Sequence, residues 1–138
     1  MILAIDTTQD KKSIALFWPG KIKKVARWQE NKIDPLEKIE IILKKNNLSK
    51  KDIKWVVVDR GPGSFTGVRM SITIANTLRY SLKIPTLGVI NKDNLGIIEL
   101  AKFAYKNRQK TSIKKIISPY YGKEPNITKP KDRKKISM

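Results

Sequence analysis

The sequence predicts a single α/β lobe, one sheet with helices in the order βββαβαβα, and three observations carry that prediction. Val56-Val57-Val58 is an apolar run without polar alternation, the pattern of a strand covered on both faces inside a parallel layer. It passes through Gly61-Pro62-Gly63-Ser64 directly into a long apolar helical segment, as a parallel crossover requires. Before it, two strand-like segments meet at Pro19-Gly20, a turn signal that makes them an antiparallel pair. The 138 residues suffice for one hydrophobic core and not for two of ordinary size.

Taken in order, Ile2 to Ile5 is a short buried strand whose carboxyl end delivers Asp6-Thr7-Thr8. Ser13 to Trp18 is the second strand, and Lys21 to about Gln29 the third. Asp34-Pro35-Leu36-Glu37 announces a helix: Asp34 can cap, Pro35 takes the first helical position, and Glu37 sits three residues after the cap. Leu36, Ile39, Ile42 and Leu43 give it one apolar stripe, and Asn46-Asn47 ends it. Ser49 and Asp52 suit one further helical turn before the central strand.

Ser64 is a natural N-cap for the second helix, which runs to about Leu82. Its apolar residues cover more than one face: Phe65, Val68, Ile72 and Ala75 form one stripe, Met70, Ile74 and Leu78 another. Such a helix needs two neighbours. Gly67, Ser71 and Ala75 add a ridge of small residues against which another backbone can come close. Pro85 introduces the strand Thr86 to Ile90, and a third helix is expected from about Lys92 to Tyr105. Three antiparallel strands followed by parallel crossovers are the topology of a ribonuclease H-like lobe, the unit that actin-like proteins duplicate. Residues 1–105 are expected to form it.

Composition removes whole classes of chemistry. With no cysteine and no histidine, disulfides, thiolate zinc sites, cysteine nucleophiles and imidazole triads are excluded. No apolar run approaches the ~18 residues of a membrane span, and the chain opens on a strand, so a cytoplasmic protein without a membrane segment is expected. Thirty Lys and Arg against twelve Asp and Glu give a formal charge of +18, which suits an anionic partner such as RNA. Codon bias toward A and T would also enrich lysine in this Ile- and Asn-rich sequence. From Lys106 to Met138 eleven basic residues face only Glu124 and Asp132, and prolines interrupt any helix. This is read as a basic tail over 106–138, mobile after about 122, from which Ile113, Ile116, Ile117, Tyr120 and Tyr121 can still dock on the body.

Two sites invite catalytic readings. Asp6 and Asp59 end strands that lie side by side in such a lobe, so together they could hold a divalent metal for nuclease chemistry. Two carboxylates make a weak site, however, and no further acid is well placed. The junction Gly61, Pro62, Gly63, Ser64, Phe65, Thr66 and Gly67 carries the free amides of an anion site, yet its spacing is not the Walker pattern, and close packing explains the glycines as well. Asp6-Thr7-Thr8-Gln9-Asp10 lacks a glycine, and one lobe offers no opposite wall, so neither tight ATP binding nor any other cofactor or metal is expected.

Gly61 to Arg69, together with Ile2-Leu3-Ala4-Ile5-Asp6-Thr7-Thr8, resembles the TsaB family. The likeness runs over about residues 2–100, with a weaker one to the family's closing Pro-x-Tyr segment at Ser118-Pro119-Tyr120-Tyr121. It implies a non-catalytic partner of the transferase TsaD in making threonylcarbamoyladenosine at position 37 of tRNA. It also implies a helix bundle between the first two helices and those of TsaD, or of a second copy when TsaD is absent. Because the second helix has apolar surface left once one stripe is placed on the sheet, the candidate partner-facing residues are Arg69, Met70, Thr73, Ile74, Asn76, Thr77 and Tyr80, with Ile39 and Leu43 of the first helix. Two departures stand out. Most of the family's second lobe, through which further components such as the ATPase TsaE are met, has no counterpart here. The usual His-Ser-Glu entry to the first helix is replaced by Lys32-Ile33-Asp34-Pro35-Leu36-Glu37. Weak tRNA contact through the basic tail completes the expectation.

Overall fold

The computed structural model describes residues 1–29, 33–111 and 116–121. Strands β1 (Ile2–Asp6), β2 (Lys12–Trp18) and β3 (Ile22–Trp28) form an antiparallel meander, and β4 (Trp55–Asp59) and β5 (Thr86–Val89) extend it in parallel. The sheet order is β3-β2-β1-β4-β5. Between and after these strands lie α1 (Pro35–Lys45), α2 (Phe65–Leu82) and α3 (Ile97–Lys106), which reproduces the order read from the sequence.

The side-chain alternation of the strands divides the core into two layers. Leu3, Ile5, Ile14, Leu16, Val56 and Val58 point to the side covered by α1 and α2. Ile2, Ala4, Ala15, Phe17 and Val57 point to the side covered by Ile97, Leu100, Ala101 and Ala104 of α3. This is why the valine run lacks alternation: every one of its side chains is fully buried, whichever way it points. Burial of one such side chain contributes about 1.5–3 kcal/mol, so the central strands anchor the lobe.

Local signals set the helix ends. The Asp34 carboxylate accepts the Leu36 N–H at 3.0 Å, and α1 stops at Asn46, with Asn47 left-handed at φ 56°. Ser49 N–H donates to the Asp52 carboxylate at 2.8 Å, closing a single 3₁₀ turn at Lys50–Asp52. The third helix begins at Ile97 rather than near Lys92, and Asn91 explains the difference. Its side chain accepts the Leu95 N–H at 2.7 Å and donates to the Leu95 carbonyl at 3.0 Å, holding a loop in which Asn94 is left-handed at φ 54°.

Of the expected basic tail, residues 112–115 and 122–138 lie outside the described residues, as does the expectation of mobility after 122 and the docking of Ile113. Residues 116–121 lie against the body. Ile117 is buried in the core on the α2 side, Tyr121 packs against that core, and Ile116 is exposed.

Candidate functional site

Parallel pairing of β1 with β4 sets Ile5 opposite Val58, so both strands release their next residues at one end of the sheet. The chain after β1 is there lashed to the start of α2. Thr7 N–H donates to the Ser71 hydroxyl at 2.8 Å, the Thr7 hydroxyl donates to the Gly67 carbonyl at 2.7 Å, and Ser64 N–H donates to the Thr8 carbonyl at 3.0 Å. The small-residue ridge thus accommodates a backbone of this same chain. A Cβ on Gly67 would lie 2.2 Å from the Thr7 carbonyl oxygen, and one on Gly63 2.5 Å from that of Thr8. Gly61 has φ +109°, a conformation that only glycine adopts readily, and Ser64 caps α2 by accepting the Gly67 N–H at 3.0 Å. Close approach, rather than an open phosphate cradle, accounts for the glycines.

Asp6 and Asp59 do converge. The Thr8 hydroxyl donates to Asp6 Oδ1 at 2.7 Å and reaches Asp59 Oδ2 at 3.4 Å. Asp59, 2% exposed, also accepts the Gly61 N–H at 2.7 Å and the Asn91 amide at 2.9 Å. Burial, and then the neighbouring Asp6 charge, push its carboxyl up to about 7, against the opposing pull of the Asn91 and Gly61 donors. Among the described residues no group of three or more His, Cys, Asp or Glu side chains gathers here or elsewhere. The pair is occupied in holding Thr8, Gly61 and Asn91 together, and nothing in its surroundings supports a two-metal nuclease.

The outer side of α2 meets the start of α1 in an open groove of ≈ 510 Å³. Thr66, Arg69, Met70, Thr73, Ile74 and Thr77 line it from α2, facing Ile33, Asp34, Pro35 and Leu36. Arg69, Thr73 and Thr77 are exposed and Met70 half-buried, while Ile74 is mostly committed to the core beneath. The remaining candidates fall elsewhere. Ile39 and Leu43 are 1% and 3% exposed, because α1 turns its single apolar stripe onto the sheet. Asn76 is engaged by the chain's own Ile117, bonding to both of its backbone groups. Tyr80 stands 72% exposed near the end of α2, under the Lys83 ammonium at 5.1 Å from the ring. Phe65, at the head of α2, stacks on Tyr121 at 5.2 Å and carries the Arg69 guanidinium over its ring at 5.3 Å.

The sequence led to the expectation that residues 116–121 dock on the body, but not to the residues that receive them. Arg60 Nε donates to the Ser118 carbonyl at 2.7 Å and Tyr120 N–H donates to the Arg60 carbonyl at 2.8 Å. The Pro-Tyr-Tyr stretch was a visible signal; its receptors Arg60 and Asn76 were not, because each looks like an ordinary solvent-facing residue.

Sheet order, crossover pattern and the carboxylate-ended first strand define an actin-like, ribonuclease H-like lobe. YeaZ from Pseudomonas aeruginosa superposes on it with a TM-score of 0.60 and 26% identity, over 78% of this chain and 49% of that one. A family model described as TsaD, tRNA N6-adenosine threonylcarbamoyltransferase, matches residues 24–95, just over half of the 138. The tRNA threonylcarbamoyladenosine biosynthesis protein TsaB of Buchnera aphidicola subsp. Schizaphis graminum is 37% identical, over 82% of this chain and 52% of that protein. TsaB of Escherichia coli is 38% identical, over 64% and 39%. The chain belongs to this TsaD-type family, in its TsaB group. It spans about half or less of the length of these curated relatives.

Proposed function

We propose that this chain is the non-catalytic partner of a TsaD-like transferase in making N6-threonylcarbamoyladenosine at position 37 of tRNA. The carrying observation is the α1/α2 groove: α2 has one side on the sheet and offers Arg69, Met70, Thr73 and Thr77 on the other. A partner helix laid there would cover Met70 and Ile74, leaving Arg69 at the rim to meet an acidic group. The TsaB names of the relatives support the pathway, and the acid pair's occupation in local hydrogen bonds supports a role without chemistry of its own.

In this reading the transferase performs the group transfer, and this lobe stabilises its active arrangement by supplying two helices to a shared bundle. Without that partner, a second copy covers the same groove. Basic residues from 106 onward make weak contact with tRNA, and a TsaE-like ATPase is a further candidate component. The setting is cytoplasmic, and no helix among the described residues is long and apolar enough to cross a membrane. Gel filtration of the chain with its cognate TsaD is the direct test. Co-elution as one species is expected; two separate peaks at micromolar concentration would refute the partnership.

A further inference from the structure

A second surface lies apart from the α1/α2 groove, at the end of the sheet where β2 leaves and β4 enters. The Trp18 and Trp55 rings stack there at 5.6 Å and 12°, and Tyr105 of α3 meets Trp18 edge-on at 5.0 Å. The Arg108 guanidinium sits 4.0 Å from the Tyr105 ring centre. These four side chains are half-buried, whereas Lys21, Lys23 and Lys102 beside them are exposed. Trp18 and the three lysines share an open groove of ≈ 470 Å³ whose lining contains no carboxylate. The adjoining groove across Trp18 includes Asp52, but that carboxylate is held by the Ser49 N–H.

We propose that this corner binds a single-stranded segment of RNA. Lysines around a groove without acids match phosphate, and the Trp18 indole in the wall of that groove, backed by Trp55, is the ring on which a base can stack. An acidic peptide would use the lysines and leave the rings without a role, and a duplex keeps its bases out of their reach. The groove has room for about one nucleoside. The choice of RNA among polyanions rests on the proposed place in tRNA modification; the site itself does not depend on the TsaD partnership.

The test is fluorescence anisotropy of the full chain with a short labelled single-stranded oligoribonucleotide, residues 122–138 being present in every variant. Reversing Lys21, Lys23 and Lys102 to Glu should weaken binding at least about tenfold and flatten the salt dependence by about 2 in log–log slope. Reversing Lys11, Arg27 and Lys92 to Glu makes the same charge change at the opposite end of the strands, where all three are exposed, and should cost no more than about twofold. Trp18→Leu, or Tyr105→Leu if the first fails to fold, should weaken binding roughly fivefold or more. Equal loss in the two charge-reversed chains, or equal affinity for duplex RNA, would overturn the site. Binding RNA while failing to co-elute with TsaD would sink the partnership alone; the converse would sink this site alone.

Discussion

The side-chain amide of Asn76 binds both backbone groups of Ile117, donating to its carbonyl at 2.9 Å and accepting its N–H at 3.0 Å. A side chain on the outer half of α2 thereby fastens a segment 41 residues further along the chain. Ile117 is 8% exposed and lies in the same core as Val58 and Ile72. Asn76→Ala leaves both backbone groups without these partners, at about 1–3 kcal/mol. The urea midpoint should fall accordingly, and protease should cut near residue 117 faster. An unchanged midpoint would mean that the segment merely rests on the surface.

Acid titration should show the reverse of the usual carboxylate trend at one position. Asp59 is raised to about 7 when folded, against 3.8 unfolded, so the folded state holds the extra proton between those values. Its contribution to stability is therefore largest below about pH 4, declines as pH rises toward 7, and is flat above. Asp6→Asn keeps the oxygen that accepts from Thr8 and removes the charge facing Asp59. Subtracting its unfolding free energy from that of the parent across this window should give a difference that falls with pH. Two parallel curves would show that the carboxylates do not communicate.

Gly67→Ala sets helix propensity against packing. Propensity alone would stabilise α2 by about 1 kcal/mol. The new methyl would lie 2.2 Å from the Thr7 carbonyl, where backbone rather than a flexible side chain must move. Overpacking of that kind costs about 1–3 kcal/mol, so a net loss is expected. Gly20→Asn is the control, since its φ of +74° suits Asn and nothing lies within 4 Å of a Cβ. Thermal unfolding of the two variants decides the matter; a more stable Gly67→Ala chain would refute the close approach of α2 to the 7–8 turn.

Most of this architecture could be read in advance because its signals are local. The valine run, Pro19-Gly20, the Asp34-Pro35 start and the Ser64 cap each fix their element without reference to distant residues. Asp6 and Asp59 could be brought together on paper because strand order alone makes their ends neighbours. Two things were less legible. The third helix was expected from about Lys92, and only the bonds between the Asn91 side chain and Leu95 reveal that this stretch is a loop. On α2, a second apolar stripe does not say which members are left over, since Asn76 is claimed by a segment that no periodicity connects to it. For α1 the question was simpler: one stripe serves one neighbour, so Ile39 and Leu43 had nothing to spare.

That distinction between core and groove can be measured as a double dissociation. Ile39 is buried against the sheet side of α1, and Ile39→Ala should cost about 2–5 kcal/mol by removing packed methylenes and leaving a cavity. Thr73 is exposed on the groove, and Thr73→Arg should leave the unfolding midpoint within about 0.5 kcal/mol of the parent. In gel filtration with TsaD the order should invert. Thr73→Arg places a charged side chain where a partner helix must lie and should abolish co-elution, whereas the Ile39→Ala chain, examined below its melting temperature, should still co-elute. Tyr80→Ala, beyond the groove lining, should change neither quantity much. Loss of the complex with Tyr80→Ala but not with Thr73→Arg would move the partner off the groove and onto the far end of α2.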